Sequence, residues 1–218
     1  MEAVDQVAAY ADADFSESHD RIIEQVAEAF PSLRFDGEVL NLGCGSGDDT
    51  FRFLYRYPES RIIGVDGSAA MIDRAKFDLA SLHSALAHRL QFVVGYIPSE
   101  DIPCRPYAAI MSNSLLHHIH RPELFWSAVR ERSKKGTAIF VADLRRPGSR
   151  EDAEELVRLY AGDAPEVLRA DFYNSLCAAF TVDEVQSQLN EAGLTELKVC
   201  EIGDRHLVIS GVRAQTGP

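Results

Sequence analysis

Short apolar runs alternate along the chain with longer stretches in which apolar residues return every three or four positions. The runs are Val39–Leu42, Arg61–Val65, Gln91–Gly95, Tyr107–Met111 and Gly136–Ala142. Each is short and nearly continuous, the pattern of a strand buried on both faces. Between them, Thr50–Tyr57, Ala69–Leu86, Pro122–Arg132 and Glu151–Phe180 carry helical spacing. Residues 1–30 also read as helical, an N-terminal cap that ends at Phe30-Pro31, with Ile22, Ile23, Val26 and Phe30 on one face and acids opposite. Strands alternating with helices make βαβ units and a parallel sheet covered on both sides.

The pattern changes after Phe180. Thr181 and Glu184 form a capping-box signature for a helix that runs to Asn190. Strands Leu194–Cys200 and His206–Val212 follow, joined by the five residues Glu201–Arg205. So short a connection cannot make a parallel crossover, so the two strands are expected to pair as a hairpin. The expected architecture is α/β: a doubly wound seven-stranded sheet, mostly parallel, with an antiparallel last strand as a reversed edge. Residues 145–180 are expected as a helical lid insertion, broken at Gly162–Pro165 into an α-hairpin over the crevice. Its positions Val167, Leu168, Phe172 and Leu176 have the spacing of a core-facing stripe. No repeat or Gly/Ser linker interrupts the 218 residues, which read as one domain.

Composition narrows the classes. Apolar residues make up 46% of the chain, enough for a sizeable core. Acidic residues outnumber basic ones by 34 to 22, a net charge of −12 that repels a phosphate backbone and disfavours nucleic acid as partner. No apolar run approaches the length of a membrane span, and the N-terminus lacks a secretory pattern, so a cytoplasmic protein is expected. Cys44, Cys104, Cys177 and Cys200 match neither zinc spacing nor a disulfide framework, and no HExxH-like metal constellation is present.

Gly43-Cys44-Gly45-Ser46-Gly47 follows the first expected strand and opens a helix. Glycines there allow a sharp turn and close approach of a ligand to the backbone. A dinucleotide fingerprint needs a glycine at position 48, where Asp48 stands, and an acid beside a pyrophosphate repels it. Asp66 ends the second strand 19 residues after Gly47, placed to accept hydrogen bonds from ribose hydroxyls. Together they point to a nucleoside ligand without phosphates.

These residues carry a resemblance. Val39-Leu-Asn-Leu-Gly-Cys-Gly-Ser-Gly47 resembles the first motif of the class I S-adenosylmethionine-dependent methyltransferases, and Ile63-Gly-Val-Asp-Gly-Ser-Ala-Ala-Met-Ile-Asp-Arg-Ala75 is similar to the second. Phe92–Ile97, Ile110–His118 and Gly136–Ala142 fall where later motifs belong. The resemblance implies that Gly43, Cys44 and Gly45 pack on the methionine part of S-adenosylmethionine. It places Asp66 on the ribose, Gly67 and Met71 beside the adenine, Tyr96 and Ile97 along the adenine pocket, and Asn113 near the amino group. Two positions depart from the family. Asn41 replaces a common acid and brings a hydrogen-bond acceptor without charge, and Tyr96 replaces an acid that reads the adenine amine.

Methyl transfer needs alignment and, for some acceptors, a base. His117 and His118 follow the fourth strand and are the candidate bases. Tyr10, Arg145, Arg169 and Tyr173 are candidate contacts to substrate, while His19, His83 and His88 read as surface residues on helices. No Asn/Asp-Pro-Pro-aromatic motif follows the fourth strand, so methyl transfer to a small molecule, leaving S-adenosylhomocysteine, is expected of a monomer or homodimer. Other readings are non-methylating chemistry on the same donor (a cyclase or a modified donor), an RNA or protein methyltransferase, a nucleotide-dependent oxidoreductase, or a binding module.

Overall fold

The computed structural model describes residues 16–98 and 101–214. Tyr10 and the first half of the expected cap lie outside the described residues. The strands are β1 (Glu38–Leu42), β2 (Arg61–Asp66), β3 (Leu90–Val94), β4 (Ala109–Asn113), β5 (Ala138–Leu144), β6 (Lys198–Ile202) and β7 (His206–Val212). They form one sheet in the order β3-β2-β1-β4-β5-β7-β6. The first five pair in parallel, whereas β7 runs antiparallel to both β5 and β6.

The helices are α1 (Ser16–Ala29), α2 (Asp48–Arg56), α3 (Ala69–Ser81), α4 (Pro122–Glu131), α5 (Arg150–Ala161), α6 (Glu166–Ala178) and α7 (Val182–Ala192). Strand periodicity divides them between two layers. Val39 and Phe140 face α1, α2 and α3 in one buried cluster with Ile22, Val26, Phe53 and Ile72. Leu40, Leu42, Ile139 and Val141 face α4 and α7 in the other, with Phe125, Trp126, Val185 and Leu189. The capping box is present: the Thr181 hydroxyl accepts from the Glu184 N–H, and the Glu184 carboxylate accepts from the Thr181 N–H at 2.8 Å.

Three differences from the sequence expectation matter. The reversed strand β7 is last in sequence but not at the edge, because it is inserted between β5 and β6. β5 begins and ends two residues later than expected, which brings Asp143 inside it. Helix α3 stops at Ser81, so His83 lies outside it.

The insertion after β5 is closed at its base. Arg145 and Phe180 form a parallel bridge, and the Arg146 N–H donates to the Phe180 carbonyl at 3.1 Å. Helices α5 and α6 pack on each other around Ala153, Leu156, Leu176 and Ala179, with Phe172 and Tyr173 against that cluster. Val167 departs from the expected stripe and is exposed.

Candidate active site

Chain order places β2 and β3 on one side of β1 and β4 on the other, so the strand order switches between β1 and β4. The crevice at the carboxyl ends of two such strands is where open α/β sheets bind ligands. The glycine loop leaves β1 there. Gly43, Gly45 and Gly47 all have positive φ, at 75°, 53° and 88°. Such angles strain any side chain, and at Gly43 and Gly47 space is closed as well. A Cβ on Gly43 would lie 2.8 Å from Leu115, and one on Gly47 would lie 2.7 Å from Phe92. At Gly45 it would meet nothing within 4 Å.

The loop is bound to the end of β2. The Gly43 and Cys44 N–H groups both donate to the Val65 carbonyl, at 2.8 and 3.0 Å. The Gly45 N–H donates to Asp66 Oδ2 at 3.0 Å, and the Ser68 N–H donates to Asp66 Oδ1 at 2.8 Å. Asp66 therefore joins the two elements that the sequence singles out, and each oxygen keeps acceptor capacity for a hydroxyl. Burial and the neighbouring acids Asp66 and Asp49 push the Cys44 thiol well up, leaving it a protonated packing group.

Around this joint the other expected cofactor residues take defined places. Asn41 is fully buried in β1, where its amide nitrogen donates to Thr50 Oγ1 at 2.8 Å and Asp49 Oδ1 at 3.2 Å. Its Oδ1 has no partner among the described residues. A buried carbonyl oxygen without a donor fits a ligand ammonium, the task expected of position 41. Gly67 lies under the Tyr96 ring, whose Cε1 would be 2.8 Å from a Cβ at that glycine. Tyr96 itself is 65% exposed, Ile97 is half-buried, and Met71 is buried at the first turn of α3. Asn113 ends β4, and its Oδ1 accepts from the Ser114 hydroxyl at 3.3 Å.

The two candidate bases share one 3₁₀ turn, Leu116–His118, but not one environment. The His117 side chain is 3% exposed, and its Nδ1 lies 2.5 Å from Asp143 Oδ1. His118 is exposed, with its ring centroid 4.0 Å from that of His117. Packing around the ring and the neighbouring His117 lower its pKa to about 4, so His118 is neutral at pH 7. Sequence reasoning missed Asp143. Its signal was an acid at the carboxyl end of an otherwise apolar run.

The expected substrate residues scatter. Arg145 is turned to the β6–β7 connection, where it donates to the Asp204 carbonyl at 2.9 Å and lies 3.8 Å from Glu201. That is where the structure places this expected substrate contact. Arg169 is exposed on α6, and Tyr173 packs half-buried in the hairpin.

His19 and His83 are corrections. His19 Nδ1 is 2.6 Å from Asp48 Oδ2, which also accepts from Arg52 at 2.6 Å. Burial works to lower the His19 pKa, but the bond to Asp48 and the charge of Asp49 raise it above its usual value. Burial likewise opposes ionisation of Asp48, yet its bonds to His19 and Arg52 bring it down to about 2. An anion is thus fixed at the start of α2. His83 is stacked on Phe51 at 4.1 Å.

Among the described residues no cluster of three His, Cys, Asp or Glu side chains forms a metal-ion site, and no helix is long and apolar enough to cross a membrane.

Comparison with known proteins agrees with this geometry. A family model described as a methyltransferase domain matches residues 35–193, well over half of the chain. Trans-aconitate 2-methyltransferase of Enterobacter sp. (strain 638) is 49% identical over 52 residues, 23% of this chain and 21% of that protein. Erythromycin 3''-O-methyltransferase of Saccharopolyspora erythraea is 27% identical over 203 residues, 88% of this chain and 61% of that protein. The chain thus aligns with less than two thirds of the length of either relative. Among solved structures, a SAM-dependent methyltransferase from Aquifex aeolicus superposes with a TM-score of 0.68 at 15% identity, covering 95% of this chain and 98% of that one. The plantazolicin methyltransferase BpumL, solved in complex with a pentazolic desmethylPZN analog and SAH, gives 0.67 at 14% identity, covering 94% of this chain and 88% of that one. At such identities the structural likeness concerns the fold.

Proposed function

The chain belongs to the class I S-adenosylmethionine-dependent methyltransferase family, and on that premise we propose that it transfers a methyl group to a small-molecule acceptor. The observation that carries the reading is the joint of glycine loop and strand-end acid, the Gly45 N–H on Asp66 Oδ2 at 3.0 Å. S-adenosylmethionine supplies an activated methyl on its sulfonium sulfur and leaves as S-adenosylhomocysteine.

The residues then divide the work. Asp66 accepts from ribose hydroxyls with the lone pairs its two backbone donors leave free. Gly43, Cys44 and Gly45 offer backbone without side-chain bulk to the methionine part, and Asn41 Oδ1 accepts from the ammonium, with Asn113 nearby. Gly67, Met71, Tyr96 and Ile97 receive the adenine, Tyr96 as a stacking face. Where the acceptor carries a proton, His117 or His118 removes it. Arg169 and Tyr173 of the hairpin bind the acceptor, as does Tyr10.

Two observations favour this over a phosphate-bearing cofactor or a nucleic-acid acceptor. Asp48, held ionised at the start of α2, would repel a phosphate at that helix terminus. The net charge of −12 repels a phosphate backbone. The acceptors named for the two relatives, trans-aconitate and erythromycin, are both small molecules.

Titration calorimetry tests the cofactor half of the reading. S-adenosylhomocysteine should bind with one-to-one stoichiometry and NAD should give no heat of binding. The reverse result would make the chain a nucleotide-dependent protein.

A further inference from the structure

We infer that Asp143 is a positioning residue for methyl transfer: it fixes His117 as the Nδ1–H tautomer and holds in place the turn that carries both histidines. Asp143 is 2% exposed in β5 and stands among apolar neighbours. A carboxylate there is costly unless donors surround it. Donors do surround it. Oδ2 accepts from the Leu116 N–H at 2.6 Å and faces the His117 N–H at 3.4 Å. Oδ1 accepts from the Leu144 N–H at 2.7 Å and from His117 Nδ1 at 2.5 Å.

The first N–H groups of a 3₁₀ turn have no partner within the turn, and Asp143 supplies one across strands. That much would serve structure alone. The bond to Nδ1 does something more. A carboxylate ringed by donors only accepts, so the ring nitrogen facing it carries a proton, and in the neutral ring Nε2 keeps its lone pair. Because the His118 ring lies 4.0 Å from the His117 ring, the same bond sets the surface against which His118 rests.

Asn at position 143 cannot reproduce this set. One of its two terminal atoms must be an NH₂. If that group replaces Oδ2, the Leu116 N–H faces a donor. If it replaces Oδ1, the Leu144 N–H faces a donor and the His117 ring must shift its proton to Nε2.

The consequence for turnover rests on the methyl-transfer reading above, whereas the tautomer does not, and the test separates the two. In ¹⁵N-histidine NMR of the full chain at pH 7, the His117 signals are identified by their loss in His117→Gln. The wild-type ring should show a protonated Nδ1 and an unprotonated Nε2. A protonated Nε2 there overturns the inference, without any need for Asp143→Asn to fold. Where Asp143→Asn does fold, either the turn loses its bond at the Leu116 N–H or the ring loses its fixed tautomer. Its kcat should then fall roughly tenfold or more, part of the 10²–10⁴ that a positioned base contributes, with donor affinity unchanged. A folded Asp143→Asn with wild-type kcat also overturns it. Wild-type protein that binds no S-adenosylhomocysteine overturns the methyl-transfer reading instead, and with it the role in turnover.

Discussion

At the scale of single residues, Asp66 and the histidines carry the predictions. Asp66→Ala removes the acceptor of the Gly45 and Ser68 N–H groups as well as the proposed ribose acceptor. Affinity for S-adenosylhomocysteine should fall by at least about 1 kcal/mol, the cost of leaving donors without a charged partner. Unchanged affinity in calorimetry would take Asp66 out of the site. His206 gives a test of pH dependence. Burial, with a contribution from Arg205, lowers its pKa from 6.5 to about 4, and Asp143 and Asp204 only partly offset this. The unfolded chain binds this proton near 6.5 and the folded chain near 4. Stability present above pH 6.5 is therefore lost as pH falls toward 4. The melting temperature should drop more between pH 7 and pH 5 in wild type than in His206→Gln, and equal drops would contradict this. The glycine loop and Asp66 were legible in the sequence because local spacing defines them. Asp143 and the ion-paired His19 were not, since their partners lie 26 and 29 residues away.

Among the elements, α7 and the α1–α2 contact respond to specific changes. Thr181→Ala removes half of the capping box and should cost about 1 kcal/mol. Gly193→Ala puts a side chain at φ 69° after the same helix and should cost about 1–2 kcal/mol. Urea denaturation reads both, and a change under ~0.3 kcal/mol in either would deny that helix end its stabilising role. Arg52 joins Asp48 at the start of α2 to Asp20 of α1. Arg52→Ala should cost about 0.5–1 kcal/mol at low ionic strength and much less in ~1 M salt, because partly exposed pairs are screened. A cost independent of salt would point to packing of the side-chain stem instead. Apolar runs were enough to find the strands and the parallel core of the sheet. They did not show which strand of the last pair meets β5, since hairpin logic joins β6 to β7 and is silent about the third partner. A signal existed: Lys198, Cys200 and Glu201 are exposed along β6, while Leu207, Val208 and Ile209 of β7 are buried on both faces. The more apolar strand takes the inner place. Val167 fell outside its expected stripe because α6 packs on α5 and on the 3₁₀ turn, not on the broad face of the sheet.

For the molecule as a whole, the parts converge on the carboxyl edge of the sheet. The switch between β1 and β4 opens a crevice, the glycine loop and Asp66 furnish one side, and the His117–Asp143 pair stands at the carboxyl ends of β4 and β5. The α5–α6 hairpin, closed at Arg145–Phe180, packs against the turn that carries the histidines. The fold and the joint of glycine loop and Asp66 were readable from motifs, because they depend on backbone turns that need glycine and on an acid at a strand end. The acceptor half was not, because the contacts proposed for it, Arg169 and Tyr173, lie on a helix whose sequence serves packing first. Incubation of the full chain with methyl-labelled S-adenosylmethionine and a mixture of low-mass metabolites, followed by mass spectrometry, tests the central claim most directly. The account predicts label in a low-mass product together with an equal amount of S-adenosylhomocysteine. Label found only in nucleic acid or protein when these are offered alongside the metabolites, or donor bound without any S-adenosylhomocysteine formed, would contradict it.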